Sequence, residues 1–214
     1  MAATKNHLEV VFCEVTEKNV EQLRLMNGII FPVKYNDQFY KDVYKNIKLA
    51  QFGHYNDTPI GAVGARVEKN EESGELTQLY IMTLGVLEPY RRCGVATQML
   101  EYILDLMKTD EEFKELLTVV IHVQTNNEAA LGMYKSHGFE ITGHKDDYYK
   151  VRAKAPPCLS SCLSLAAAPL RWLANCRLLY AKQNLEPSDC HILTYVIERP
   201  AEPEVEEVKA GDPS

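Results

Sequence analysis

The sequence predicts an α/β domain, and three observations lead to this fold class. Short apolar runs with strand periodicity alternate with segments of helical spacing along most of the 214 residues. The composition, with 46% hydrophobic and 25% charged residues, is typical of a globular protein. A chain of this length can also bury a full hydrophobic core in a single domain. We therefore expect one α/β domain with short additional segments.

The first half of the chain contains four predicted strands and two predicted helices. Thr16 is the expected N-cap of the first helix, and Pro32 ends that helix because proline has no backbone N–H. Asn36 or Asp37 caps the second helix, which is expected to reach Tyr44. The predicted strands cover residues 8–12, 49–55, 59–68 and 75–86.

The second half of the chain continues this alternation. Apolar residues between Val95 and Leu106 fall at helical spacing, which predicts an amphipathic helix with one buried side. Asn126 or Asn127 is the expected cap of a further helix, and Gly138 is well placed to end it. The remaining predicted strands cover residues 118–123 and 190–197, and another begins over residues 139–142.

Two segments differ from the rest in composition. Residues 151–183 lie in a stretch that has six basic and no acidic side chains between Asp147 and Glu186, and their middle is small and apolar. This apolar run is too short to span a bilayer. Residues 198–214 are rich in Glu and Pro and are predicted to be disordered. We therefore expect a domain formed by residues 8–150 and 184–197, with an insertion at 151–183.

Charge and cysteine content restrict the possible functions. The net charge of −7 argues against extended nucleic-acid or membrane-surface binding. The six cysteines form no C-x-x-C pair and no zinc-ligand spacing, so no metal is expected. Residues 1–9 carry early charge and lack an apolar secretory core. We expect reduced thiols in a cytoplasmic protein that also enters the nucleus.

The segment Arg91-Arg92-Cys93-Gly94-Val95-Ala96 has the form R-x-x-G-x-A between a strand and a helix. Small residues let the backbone approach a ligand, and amide groups at a helix start attract anions such as a diphosphate. A surface loop before a helix is the simpler interpretation of these six residues alone. A dinucleotide-binding fold is disfavoured because no G-x-G-x-x-G follows an early strand.

The wider context of this motif resembles a known family. The block LYIMTLGVLEPYRRCGVATQML is similar to the acetyl-CoA-binding core of GNAT acetyltransferases. Three other blocks resemble the branch represented by the catalytic subunit of NatE, which acts on Met-starting peptides: FPVKYNDQFYKDV, IHVQTNNEAALGMYKSHGFE and DDYYK. The similarity runs from about residue 8 to 150 and resumes over residues 184–196. The insertion at 151–183 interrupts it.

The resemblance implies a GNAT fold, in which helices flank a central mixed and splayed β-sheet and two strands separate to admit the acetyl thioester. It implies acetyl-CoA as the acetyl donor and no metal. Cofactor contacts are implied for Leu84, Val86, Arg91, Arg92, Cys93, Gly94, Val95, Ala96, Thr97, Asn127 and Tyr134. A peptide pocket is implied for Phe31, Pro32, Val33, Tyr35, Met82, Tyr148 and Tyr149.

The resemblance also implies catalytic roles for Tyr80 and His122, acting through an ordered water. An α-amine has a pKa just under about 8, so a base must remove a proton as the amine attacks. His122 interrupts an apolar strand near its end, and a histidine titrates in the range that suits this task. The residues alone also allow a structural histidine and a packed tyrosine. A backbone N–H near Leu84 is the expected oxyanion donor, and an acetyl-cysteine on Cys93 is a less favoured route.

The leading hypothesis is therefore N-terminal acetylation of Met-starting polypeptides by direct transfer in a ternary complex. One alternative is a non-catalytic subunit that binds acetyl-CoA and supports a ribosome-associated NatA assembly. A second is lysine acetylation, which the high pKa of lysine, about 10.4, disfavours. The family resemblance implies N-terminal peptides as substrates and the NatA complex and ribosome as partners. For the insertion, three interpretations stay open: a tolerated excursion, a translated non-coding stretch, or a segment that displaces Tyr148 and Tyr149.

Overall fold

The computed structural model describes residues 7–69, 76–146, 148 and 189–197. Within these ranges, seven strands form one mixed sheet in the order β1-β2-β3-β4-β5-β7-β6. The strands are β1 (Val11–Glu14), β2 (Ala50–Tyr55), β3 (Thr58–Lys69), β4 (Leu76–Val86), β5 (Thr118–Gln124), β6 (Glu140–Lys145) and β7 (Cys190–Val196). The helices are α1 (Val20–Ile30), α2 (Asp37–Val43), α3 (Val95–Thr109) and α4 (Glu128–Ser136).

Two hydrophobic clusters cover opposite faces of the sheet. The larger packs α3 and α4 onto the central strands and includes Val63 and Ile103, both fully buried. The smaller packs α1 and α2 onto β2 and β3 and includes Leu23 and Ala62. Because adjacent residues of a strand point to opposite faces, Ala62 belongs to the smaller cluster and Val63 to the larger one. The sheet therefore lies between two helical layers, as the α/β interpretation expects.

Strands β4 and β5 are parallel and are joined through α3, whereas the other neighbouring pairs are antiparallel. Their pairing covers only Gln78–Ile81 opposite Thr118–Ile121, although both strands continue beyond it. The register against β3 shifts between Ile81 and Thr83, so Met82 occupies a bulge in β4. The sheet therefore opens on the carboxyl side of this pairing, where the implied splay was expected.

Several predicted helix ends are confirmed. Asn36 caps α2, since its side chain accepts a hydrogen bond from the backbone of Phe39. Asn127 caps α4 by accepting from the backbone N–H of Ala130 at 3.2 Å. Gly138 follows α4 with φ of 86°, a left-handed conformation that glycine adopts without strain.

The predicted start of the chain is wrong in two details. The first strand begins at Val11 rather than at residue 8, because the backbone of residues 8–10 bonds to Cys93 before α3 and to the Gln98 side chain within α3 instead of to a strand. Thr16 does not cap α1. The Thr16 N–H donates to Asn19 Oδ1 at 2.7 Å, so these residues form a turn and the helix starts after Asn19.

The strand predicted to begin over residues 139–142 is present. It covers Glu140–Lys145 as β6, because its last residues pair with β7 through Lys145 and Cys190. The predicted insertion at 151–183, the tail at 198–214 and Tyr149 lie outside the described residues. Among the described helices, none combines the length and apolar character needed to cross a membrane.

Candidate active site

Tyr80 and His122 meet where β4 and β5 separate. Tyr80 lies opposite Val120 in the parallel pairing, and His122 follows two residues later on the same face of β5. The Tyr80 hydroxyl is 3.0 Å from His122 Nδ1. It is also 2.9 Å from the hydroxyl of Tyr148, whose ring stacks on the imidazole with centroids 4.5 Å apart. The three side chains therefore form one hydrogen-bonded and stacked cluster.

The environment of His122 keeps its imidazole neutral. Burial lowers the pKa of His122, the nearby charge of Lys145 lowers it further, and Glu68 acts in the opposite direction. A lowered pKa leaves a lone pair on the ring at neutral pH. The side chain therefore has the protonation state that a general base requires.

A charged group on β3 borders this cluster. Arg66 lies opposite Tyr80 in the sheet, and its guanidinium carbon is 5.3 Å from the centroid of the Tyr80 ring. Burial would raise the pKa of Glu68, but hydrogen bonds from Arg66 at 2.7 Å and Gln78 at 2.8 Å hold it below its usual value. Glu68 is therefore ionised and supplies a fixed negative charge near His122.

The loop before α3 has the backbone shape that the motif predicts. Arg92 and Gly94 have φ values of 67° and 81°, both in the left-handed region. The left-handed φ of Gly94 favours glycine, and a Cβ at this position would also lie 2.8 Å from the His7 ring. In the described chain, Gly94 caps α3 without a side-chain hydrogen bond. The first amides of α3 therefore remain available for an anion, which fits a diphosphate.

The loop side chains have separate contacts. Arg91 Nε donates to the Val86 carbonyl at 3.0 Å, which ties the loop to the end of β4. The exposed side chain of Arg92 provides positive charge at the rim. The Cys93 thiol donates to the Arg91 carbonyl at 3.6 Å. A thiol hydrogen-bonded to a carbonyl gains no activation from it, so this contact does not favour the acetyl-cysteine route.

The loop after α1 forms an aromatic wall beside the same opening. The Phe31 and Tyr35 rings meet edge to face at 6.1 Å, and Tyr35 stacks on Phe39 at 4.2 Å. Burial raises the pKa of Tyr35 to about 12, with further contributions from Tyr40 and Tyr148. The latter contribution places Tyr35 and Tyr148 near each other. The wall therefore carries a hydroxyl that stays neutral near pH 7.

Phe31 is fixed by the end of β4. A Cβ on Gly85 would lie 2.7 Å from Ile30 Cγ2 and 2.8 Å from Phe31 Cζ, so the strand needs a glycine at this contact. Val33 is half-buried in the same loop, whereas Pro32 is exposed. The predicted peptide-pocket residues of this loop therefore lie beside the β4–β5 opening.

Comparison with known proteins decides the family. The model of the acetyltransferase (GNAT) family matches residues 20–139, which span α1 to α4 and include Tyr80, His122 and the loop before α3. The chain belongs to the GNAT acetyltransferase family. It is therefore an acetyltransferase that takes its acetyl group from acetyl-CoA.

Individual relatives narrow the resemblance within the GNAT family. N-alpha-acetyltransferase 50 of Danio rerio is 35% identical over 199 residues, which cover 93% of this chain and 95% of the relative. The probable N-acetyltransferase san of Drosophila melanogaster is 44% identical over 137 residues, covering 64% of this chain and 71% of the relative. The structure of Arabidopsis thaliana Naa50 with the bisubstrate analogue CoA-Ac-MVNAL superimposes with a TM-score of 0.65 at 34% identity, covering 88% and 99% of the two chains.

The other residues that the resemblance assigns to the cofactor lie at the end of β4, in α3, and in α4 with its N-cap. Leu84 is half-buried and Val86 is buried in the part of β4 beyond its pairing with β5. Asn127 uses its side-chain oxygen to cap α4, which leaves its amide group for another contact. Tyr134 is buried in α4, and its ring lies 5.4 Å from that of Phe139. Val95 is buried at the start of α3, while Ala96 and Thr97 are half-buried there.

Sequence reasoning missed two residues of the catalytic surroundings, Glu68 and Lys145. It also placed Tyr148 in the peptide pocket without its contacts to Tyr80 and His122. For Glu68 a signal existed: Arg66 and Glu68 alternate with Val67 on a strand whose preceding residues are apolar, which indicates a polar face. For Lys145 the decisive contact is its ammonium, 5.2 Å from the centroid of the Tyr148 ring. No local pattern predicts that contact.

Proposed function

We propose that this chain is a protein N-terminal acetyltransferase that acetylates the α-amine of Met-starting polypeptides by direct transfer in a ternary complex. The observation that carries the proposal is the cluster of Tyr80, His122 and Tyr148 at the β4–β5 opening. It places a neutral imidazole and two hydroxyls at the point where β4 and β5 separate. An acceptor amine and an acyl donor would meet at this cluster.

Acetyl-CoA supplies an activated acyl group as a thioester. The amine attacks the thioester carbonyl, a C–N bond replaces the C–S bond, and CoA leaves as a thiolate. His122 accepts a proton from the incoming amine, directly or through a water held by the Tyr80 hydroxyl. Tyr80 then acts as a hydrogen-bonding group, because an unassisted tyrosine with a pKa of about 10 is a poor base. A backbone N–H near Leu84, beyond the Met82 bulge, is positioned to donate to the developing oxyanion.

The substrate class rests on the aromatic wall and on a relative. Phe31 and Met82 offer apolar contacts suited to a methionine side chain, and the hydroxyls of Tyr35 and Tyr148 can hold a peptide backbone. The Arabidopsis relative was solved with an analogue that joins CoA to a peptide beginning with Met. Tyr149, which the family resemblance assigns to the same pocket, completes the proposed set.

Mass spectrometry of a peptide reaction tests the proposal. Purified protein with acetyl-CoA and a Met-Leu-starting peptide should yield a product acetylated on its α-amine. His122→Ala should lower turnover by roughly a hundredfold or more, with the affinity for CoA in calorimetry unchanged. His144→Ala is the matched control, because His144 is exposed and pairs with Asp146 at 3.0 Å. Intact CoA binding without any acetylated peptide would contradict the proposal.

The same reaction separates the alternatives. A peptide with a blocked N-terminus and an internal lysine should remain unmodified, since little of the lysine amine is free near neutral pH. A purely supporting role would leave cellular function unchanged when both Tyr80 and His122 are replaced. The assembled cluster favours catalysis over that role.

We further propose that the protein works with the NatA complex at the ribosome, in the cytoplasm and also in the nucleus. The support is its similarity to the catalytic subunit of NatE. Affinity purification from cells followed by fractionation tests this, with NatA subunits and ribosomes expected to copurify. Purification without either would contradict the partnership.

A further inference from the structure

The segment before β1 lies along the phosphate-binding loop. The Leu8 N–H donates to the Cys93 carbonyl at 3.0 Å. Gln98 Nε2 donates to the Leu8 carbonyl at 2.6 Å, and the Val10 N–H donates to Gln98 Oε1 at 3.2 Å. The side chain of Gln98 therefore binds this segment as a neighbouring strand would, by one donated and one accepted hydrogen bond.

These bonds orient the two peptide groups at the start of α3. A trans peptide is planar, and its C=O and N–H point in opposite directions. The bond from Leu8 to the Cys93 carbonyl therefore directs the Gly94 N–H away from the segment. The Gly94 carbonyl accepts from Gln98 N at 3.1 Å and from Gln98 Nε2 at 3.3 Å. This contact directs the Val95 N–H toward the N-terminal end of the helix.

The segment also closes one side of the loop. His7 lies against Gly94, where its ring atoms come within 2.8 Å of the position that a Cβ would take. Leu8 and Val10 pack against the main hydrophobic cluster, so the segment is anchored on both sides. The left-handed backbone at Gly94 is thus held by contacts from outside the motif.

We propose that Gln98 is a positioning residue for cofactor binding, which clamps residues 8–10 onto the loop and presets the Gly94 and Val95 amides for the diphosphate of acetyl-CoA. Residues Leu8 to Val10 are then part of the cofactor site, although they precede the motif by more than eighty residues. The proposal concerns the donor side of the site. It holds whichever amine the enzyme acetylates.

Calorimetry with CoA tests the clamp. Gln98→Met keeps the length and helical preference of the side chain but removes the bonds to Leu8, Val10 and Gly94. We expect a roughly tenfold higher Kd for CoA, the scale of losing one or two hydrogen bonds that hold the loop. The KM for acetyl-CoA should rise by the same factor, while kcat at saturating donor stays within about twofold.

Tyr102→Phe is the matched control on the same helix. It removes a side-chain bond to the Lys48 carbonyl at 3.2 Å, which is remote from the loop. This control should lose stability with an unchanged Kd for CoA. If Tyr102→Phe weakened CoA binding as much as Gln98→Met, the effect would be general destabilisation and the clamp would be wrong.

A second variant tests the bond that the segment itself donates to the loop. Leu8→Pro removes the single N–H that bonds the Cys93 carbonyl. It should raise the Kd for CoA in the same direction as Gln98→Met. Wild-type affinity in both variants would overturn the proposal, even if the enzyme acetylates Met-starting peptides as expected.

Discussion

At the scale of single residues, the charges around His122 set the pH range of catalysis. Lys145 lowers the pKa of His122 and Glu68 raises it, beyond the larger effect of burial. The activity should fall at acidic pH when the imidazole takes up a proton, so the acid limb of the pH–rate profile reports this pKa.

Replacing the two charges should move that limb in opposite directions. Lys145→Met removes a positive charge, so the pKa of His122 rises and activity is lost at a higher pH than in the wild type. Glu68→Gln removes the negative charge, so the limb moves to lower pH. Profiles of kcat/KM measured over the acidic range check both signs. Shifts of both variants in the same direction would show that the limb does not report His122.

Tyr35 provides a residue-scale prediction about stability. Its folded pKa of about 12 exceeds the ordinary value of 10.0, so the unfolded chain loses this proton first as pH rises. The associated stability is complete below pH 10 and is lost between pH 10 and about 12, with a magnitude of roughly 3 kcal/mol. Tyr35→Phe should flatten the decline of the unfolding free energy in urea over this interval. An unchanged decline would mean that the hydroxyl is not protected by burial.

At the scale of elements, the contact between β4 and the aromatic wall is a test of the peptide site. Gly85→Ala would place a methyl group 2.7 Å from Ile30 and 2.8 Å from Phe31, which forces the loop away from the strand. We expect a rise in the peptide KM of roughly tenfold or more, with the Kd for CoA changed far less.

Gly28→Ala is the control for this substitution. Gly28 lies in α1, and its Cβ position has no neighbouring atom within 4 Å. Alanine should stabilise the helix by about 0.5–1 kcal/mol and leave both constants unchanged. If Gly85→Ala also left the peptide KM unchanged, Phe31 would not form the peptide wall.

The elements also show how far local sequence patterns reach. The caps of α2 and α4 follow from Asn36 and Asn127, whereas strict alternation does not predict the bulge at Met82 in β4. The bond between Tyr80 and Tyr148 spans 68 positions, and local patterns hold no information about it. The same limit applies to Leu8 and Gln98, which are 90 positions apart. Sequence periodicity predicts which face of a helix or strand is buried, whereas tertiary packing determines which of these faces contact each other.

At the scale of the whole molecule, the order β5-β7-β6 determines the effect of the insertion. Strand β7 pairs with β5 and β6 on its two sides, and Lys145 lies opposite Cys190 at the open end of the hairpin. Pairing between β6 and β7 therefore holds this end together, independently of the segment that connects the two strands. Local patterns predicted the strands themselves but not the placement of the last strand between its predecessors.

Removing residues 151–183 should preserve the sheet and the acetyltransferase activity. The connection from β6 to β7 shortens from 44 residues (146–189) to 11, which corresponds to about 1.2 kcal/mol less loop-closure entropy. Urea unfolding of both forms should show a gain of this size, and peptide acetylation should stay within about twofold. A large loss of activity on deletion would mean that residues 151–183 contribute to the peptide site.

The early end of the pairing between β4 and β5 has a consequence for recognition. Beyond Ile81 and Ile121, the described parts of β4 and β5 are no longer paired, so the backbone edge of β4 faces the opening there. A ligand with amide groups of its own can form hydrogen bonds with this edge of β4. It would then lie between β4 and β5 in the position of an additional strand. The enzyme would then contact acetyl-CoA along its pantetheine arm as well as at its phosphates. Deuterium uptake by the backbone amides of residues 82–86 would slow when the donor binds.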